Sequence, residues 1–136
     1  MIIGVPAADA TMAWPLVLPF VERYLVKSKE HRWNADDLLA DVQEGDKQLW
    51  VVMNPQAPTI DSVVMTEIVN YPQCREANVF MVSGKMTTLE DWREITQELV
   101  DWAAQKGCHY ISSMARRGSE KAMGWESRQT YIVKGI

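Results

Sequence analysis

Ala77-Asn78-Val79-Phe80-Met81-Val82, then Ser83-Gly84-Lys85-Met86-Thr87, then the run from Leu89 to Gly107: this stretch decides how the chain is read. The first six residues are mostly apolar and suit a buried strand. The next five hold one glycine and turn the chain. Beyond them Leu89, Trp92, Ile95, Leu99, Trp102 and Ala103 recur at spacings of three and four, which is one face of a helix. Thr87 with Glu90 has the form of a capping box, and Gly107 suits the left-handed residue that stops a helix. A helix entered from a tight turn presents free amides at its start, and those amides suit an anionic cofactor.

Upstream, the spacing predicts a short edge strand over Met1–Val5. A helix follows, capped by Asp9 or Thr11 and carrying Trp14, Val17, Leu18, Val21, Tyr24 and Leu25. Pro15 suits a first turn, whereas Pro19 is expected to bend the helix or delay its start. Lys27–Arg32 is a charged linker. Asn34 caps a second helix that buries Leu38, Leu39 and Val42 and ends at Gly45, with Trp33 positioned to staple against Leu38. Gln48–Met53, Ser62–Asn70 and Ala77–Val82 are strands joined by short links, and the Asn54–Pro58 loop holds two prolines, so an antiparallel meander is expected. After the long helix, Tyr110–Met114 is a strand parallel to Ala77–Val82 through a right-handed crossover. Residues 115–124 hold a short helical turn, and Ser127–Val133 is a final strand.

The 136 residues fit one domain, 1–136, with one core. A 47% hydrophobic share excludes disorder, and a net charge of −4 argues against general nucleic-acid binding. Cys74 and Cys108 match no metal or redox spacing and read as free thiols. Met12–Val21 lacks the basic leader of a signal peptide, and no run is long enough to cross a bilayer. The expectation is a soluble cytoplasmic protein without a membrane partner. His31 and His109 have no partner at metal-ligand spacing, so no metal is expected. The six tryptophans mostly follow the predicted core.

The order of elements resembles the GNAT superfamily, the Gcn5-related N-acetyltransferases, and most of all the small GNAT-like proteins encoded by bacteriophages. The pieces that carry the resemblance are Gln48-Leu49-Trp50-Val51-Val52, Val63-Val64-Met65-Thr66-Glu67-Ile68, and Gly124-Trp125 where the family usually has Gly-Phe. The resemblance implies an α/β (α+β) fold with a mixed, mostly antiparallel central sheet and helices on both faces. It also implies that the sheet splays beside the Ala77–Val82 strand and admits acyl-CoA there. Acetyl-CoA would then lie against Val82, Ser83, Gly84, Lys85, Met86, Thr87 and Thr88, and Glu67 would be the catalytic base.

The sequence departs from the family at each chemical step. The usual Gln/Arg-x-x-Gly-x-Gly/Ala loop is replaced by one early glycine, Gly84, and ends at Thr88. The position of the family's acidic tyrosine falls on Glu120, which as a carboxylate would repel a departing thiolate. Glu67 has an ordinary reading as an outward residue of an alternating strand. Lys85 and the Arg116-Arg117-Gly118 cluster either grip phosphate or are solvated. These departures point to a degenerate acyl-CoA site in a non-catalytic protein, such as a phage virion or assembly component. The alternative is an acyl-CoA-dependent N-acetyltransferase acting on an amine of a small molecule or protein. A third reading is a module that binds a small ligand or peptide in the cleft. Expected partners are a second copy of the chain, other phage structural proteins, or acyl-CoA. On this reading Gly84→Pro would abolish coenzyme binding and spare the core.

Overall fold

A computed structural model describes residues 1–85, 89–114, 124–129 and 131–136. The strands are β1 (Ile2–Val5), β2 (Lys47–Met53), β3 (Ile60–Asn70), β4 (Arg75–Gly84) and β5 (Tyr110–Ser113). The helices are α1 (Ala10–Lys27), entered through a 3-10 turn at Ala7–Asp9, α2 (Ala35–Glu44) and α3 (Leu89–Gln105). The strands form one sheet in the order β1-β2-β3-β4-β5. The first four are antiparallel and β5 is parallel to β4, as short links and one helical crossover require. This mixed sheet with helices on both faces is the fold expected from the sequence.

Each face has its own core. Trp14, Val17 and Val21 of α1 and Leu38 and Val42 of α2 pack on Leu49, Val51, Val63, Met65, Phe80 and Met81. Ile95 and Leu99 of α3 pack on Ile2, Val52, Val64 and Val79 of the opposite face. The indole of Trp50 meets that of Trp102 edge-on, with centroids 5.1 Å apart, which ties β2 to α3. Asn34 and Asp37 form a reciprocal capping box at the start of α2, and Gly45 ends that helix at φ 84°. Gly107 closes α3 at φ 75°.

Three expectations are corrected. Pro15 lies beyond the first turn of α1, and Pro19 does not delay the helix, which starts at Ala10 and runs on past both. An interior proline costs about 3 kcal/mol, and the buried Trp14, Val17 and Val21 each contribute about 1.5–3 kcal/mol, so packing sustains the helix. Ser127–Val133 is not a strand. Its described residues carry no regular structure, and Ile132 and Val133 are exposed, because none of those residues pairs with a sheet edge. The third correction concerns Ser83 and Gly84, which continue β4 instead of turning the chain. Residues 115–123, with Arg116, Arg117, Gly118 and Glu120, lie outside the described residues, as do Met86, Thr87 and Thr88. No helix among the described residues is long and apolar enough to cross a membrane.

Candidate functional site

The site begins where β4 and β5 part. β5 pairs with Glu76–Val79 only, while β4 runs on through Phe80 to Gly84. The open edge so formed leads towards the start of α3. The parting coincides with a bulge. Met65 pairs with Met81 and Thr66 with Val79, which leaves Phe80 as an extra residue in β4. A bulge of this kind bends its strand and redirects main-chain groups. The Tyr24 hydroxyl of α1 holds it, donating to the Phe80 carbonyl at 2.7 Å. Burial pushes the Tyr24 hydroxyl above its ordinary pKa, so it stays a donor at neutral pH.

The wall beside the bulge comes from the α1–α2 link. Trp33 lies 5.1 Å from the Phe80 ring, and the Arg32 guanidinium covers Trp33 at 4.5 Å. Glu30 fixes Arg32 through two hydrogen bonds of 3.0 and 2.9 Å. Those bonds, chiefly, pull the Glu30 carboxyl down to about 2 from its ordinary 4.5. A depressed carboxyl stabilises the fold above its unfolded pKa, and that contribution fades as pH falls from about 4.5 through about 2. The stability gap between the protein and Glu30→Gln is therefore expected to close over that window. Urea midpoints measured at several pH values check it, and a constant gap would refute it.

A polar row crosses the sheet on the α1/α2 face. Lys47 is 9% exposed and bonds Asp41 at 2.7 Å, with Glu67 at 3.7 Å. Lys47 and Glu67 are direct cross-strand partners, and Glu67 is paired in turn with Asn78. Asn78 donates to the Ser112 hydroxyl at 3.0 Å, and Ser112 donates to Glu76 at 2.8 Å. The row thus holds three carboxylates, Asp41 and Glu67 beside the Lys47 ammonium and Glu76 on the Ser112 hydroxyl.

The residues expected to hold the cofactor have mixed fates. Val82 packs against the α3-side core. Ser83 is buried, and its hydroxyl donates to the Phe20 carbonyl at 2.6 Å. Gly84 sits at φ 123° against the backbone of Asp61 and Ser62. Lys85 is exposed, and its amide donates to the Asp61 carbonyl at 2.9 Å. Ser83 and Gly84 therefore build the strand, and Gly84→Pro would strike the β3–β4 contact rather than spare the core. Cys74 and Cys108 are free and half-buried. His109 accepts a hydrogen bond from the Arg75 amide at 3.1 Å, a local structural role. Sequence reading gives Tyr24 and Asn78 only structural places and does not single out Lys47 or Glu76. Glu76 and Asn78 leave a signal, since they are polar residues two apart leading into an apolar run and so share a face.

No protein-family model matches the chain, and no curated protein matches it by sequence. Solved structures do match. A probable acetyltransferase superposes with a TM-score of 0.71 at 9% identity, over 100% of this chain and 96% of that one. A predicted acetyltransferase with acetyl-CoA from Clostridium acetobutylicum gives 0.69 at 13% identity, covering 99% and 95%. An aminoglycoside N-acetyltransferase, AAC(6')-Iy, in complex with CoA gives 0.68 at 12% identity, covering 100% and 93%. With the sheet, the crossover and the parted strands in place, this chain has the GNAT-like fold that these acetyltransferases share.

Proposed function

We propose that the chain binds an acyl-coenzyme A along the open edge of β4 and transfers the acyl group to an amine. The observation that carries this reading is the parting of β4 from β5 at the Phe80 bulge. Residues Phe80–Gly84 have no strand partner on the β5 side among the described residues, so their edge fits an extended chain of amides. Lys85 adds an exposed cation beyond the end of that edge, suited to a diphosphate. Two of the similar structures hold acetyl-CoA or CoA, which supports the same ligand class here.

Acyl-CoA, when bound, supplies an acyl group activated as a thioester. In the overall reaction the cationic amine loses two protons as its C–N bond forms and the C–S bond breaks; one proton goes to a base or solvent and the other to the departing thiolate, which leaves as the coenzyme A thiol. The chain's own part is to position and to manage charge. Tyr24 fixes the bulge, Trp33 and Phe80 wall one side, and Glu76 and Glu67 make the acceptor side attractive to a cationic amine. Of the two carboxylates Glu67 is already spent on the Lys47 ammonium, whereas Glu76 has no ion pair among the described residues and is the one we assign to take the amine's proton.

A second reading has its own support. Ser83 and Gly84 are used for packing and Glu67 for an ion pair, as a non-catalytic scaffold of the same fold would use them. Calorimetry with acetyl-CoA separates the two. Micromolar binding, about −8 kcal/mol, is expected, and Lys85→Glu should weaken it about tenfold, or about 1.4 kcal/mol. Absence of heat at millimolar acetyl-CoA would overturn the transferase reading and leave the scaffold.

A further inference from the structure

At the other end of the sheet, a cavity of about 400 Å³ opens between the start of β2, the start of β4 and the last turn of α3. Arg75, Lys106 and Lys47 line it, and no carboxylate among the described residues does, in a chain whose net charge is −4. We infer that this cavity is a binding site for a small organic oxyanion, a carboxylate or phosphate ester with a short apolar body. The inference does not rest on the acyl-CoA reading. The parted strands begin at Phe80, five residues beyond Arg75 in β4 and so about 16 Å away along the strand.

Three donor groups are unspent there. Arg75 brings the first: its guanidinium lines the cavity, spends one N–H on the neutral Asn70 at 3.0 Å, and has no ion pair among the described residues. A guanidinium with no carboxylate beside it keeps its charge available to an anion. Gln48 supplies the second. The Trp50 indole can only donate, so it donates to Thr66 Oγ1 at 3.0 Å, and that hydroxyl donates on to Gln48 Oε1 at 2.9 Å. This chain fixes the orientation of the amide and leaves Gln48 Nε2 without a partner among the described residues. Lys106 is the third, with no ion pair among the described residues. The ammonium of Lys47 is already neutralised by Asp41 and Glu67, so it adds little. The ends of α2 and α3 carry only partial negative charge, against the full charges of Arg75 and Lys106. Trp102 and Ile68 give the cavity an apolar wall, which is why a bare inorganic ion is the poorer fit.

The test follows the Trp102 indole resonance of the full chain by ¹H–¹⁵N spectroscopy at constant ionic strength. Phenyl phosphate, benzoate and neutral benzyl alcohol are titrated in turn. Saturable shifts with at least one of the anions, and none with benzyl alcohol, are expected, and the tighter anion identifies the head group. Lys106→Gln should weaken that binding at least fivefold, Arg75→Gln should do so further, and Lys134→Gln should leave it unchanged. Equal saturation by benzyl alcohol, a linear drift with every probe, or undiminished affinity in Lys106→Gln would overturn the inference. Lys106 is exposed, so its variant keeps the test decisive if Arg75→Gln does not fold.

Discussion

Gly84→Ala is expected to destabilise the protein by about 3 kcal/mol or more, measured by urea denaturation. Two costs combine. At φ 123° an L side chain is strained, a penalty of about 1–3 kcal/mol. The new Cβ would also stand 2.3 Å from the Asp61 carbonyl oxygen and 2.6 Å from the Ser62 Cα. Both are backbone atoms, so the clash is relieved only by parting β3 from β4 next to the site. Gly45→Ala is the control. It has φ 84° but nothing within 4 Å of the added carbon, so only the strain remains, about 1 kcal/mol. If the two variants lose equal stability, close approach is not the reason for glycine at position 84.

That glycine shows where sequence reading stops. Gly84 reads from the sequence as a loop glycine, and the resemblance drawn from the sequence would set such a glycine against phosphate. Its real neighbours, Asp61 and Ser62, lie on another strand, and no local pattern reveals them. Ser83 is a similar case, since its hydroxyl is spent on Phe20, 63 residues away. The elements with local signals were legible: the alternation and short links of β2–β4, the Asn34 cap, and the periodic face of α3. Pro19 does not delay α1, because helix propensity is a weak prior against buried Trp14, Val17 and Val21. Tyr131-Ile132-Val133 has strand composition but no paired edge, and β propensity acts only through neighbours. The Lys47–Glu67 pair follows from register, which the chain fixes only once β2 and β3 are aligned.

The two-faced core gives the second large effect. Ile95→Ala and Leu38→Ala should each cost about 3 kcal/mol, because both side chains are buried and the surroundings only partly close the void. Their effects on acetyl-CoA should differ. Ile95 anchors the first half of α3 to Val64 and Val79, and the start of α3 follows the open edge of β4. Loosening that anchor lets the first turn of the helix shift relative to β4, so affinity should fall about tenfold. Leu38 belongs to the opposite core, with α2 behind β2 and β3, and its loss leaves the α3 anchor intact. Its variant should bind within about twofold of the parent when both are measured well below their unfolding midpoints. Calorimetry on the two variants, matched for folded fraction, reads the difference. An equal loss in both would mean that affinity tracks global stability. An undiminished affinity in Ile95→Ala would place the coenzyme away from the junction of β4 and α3.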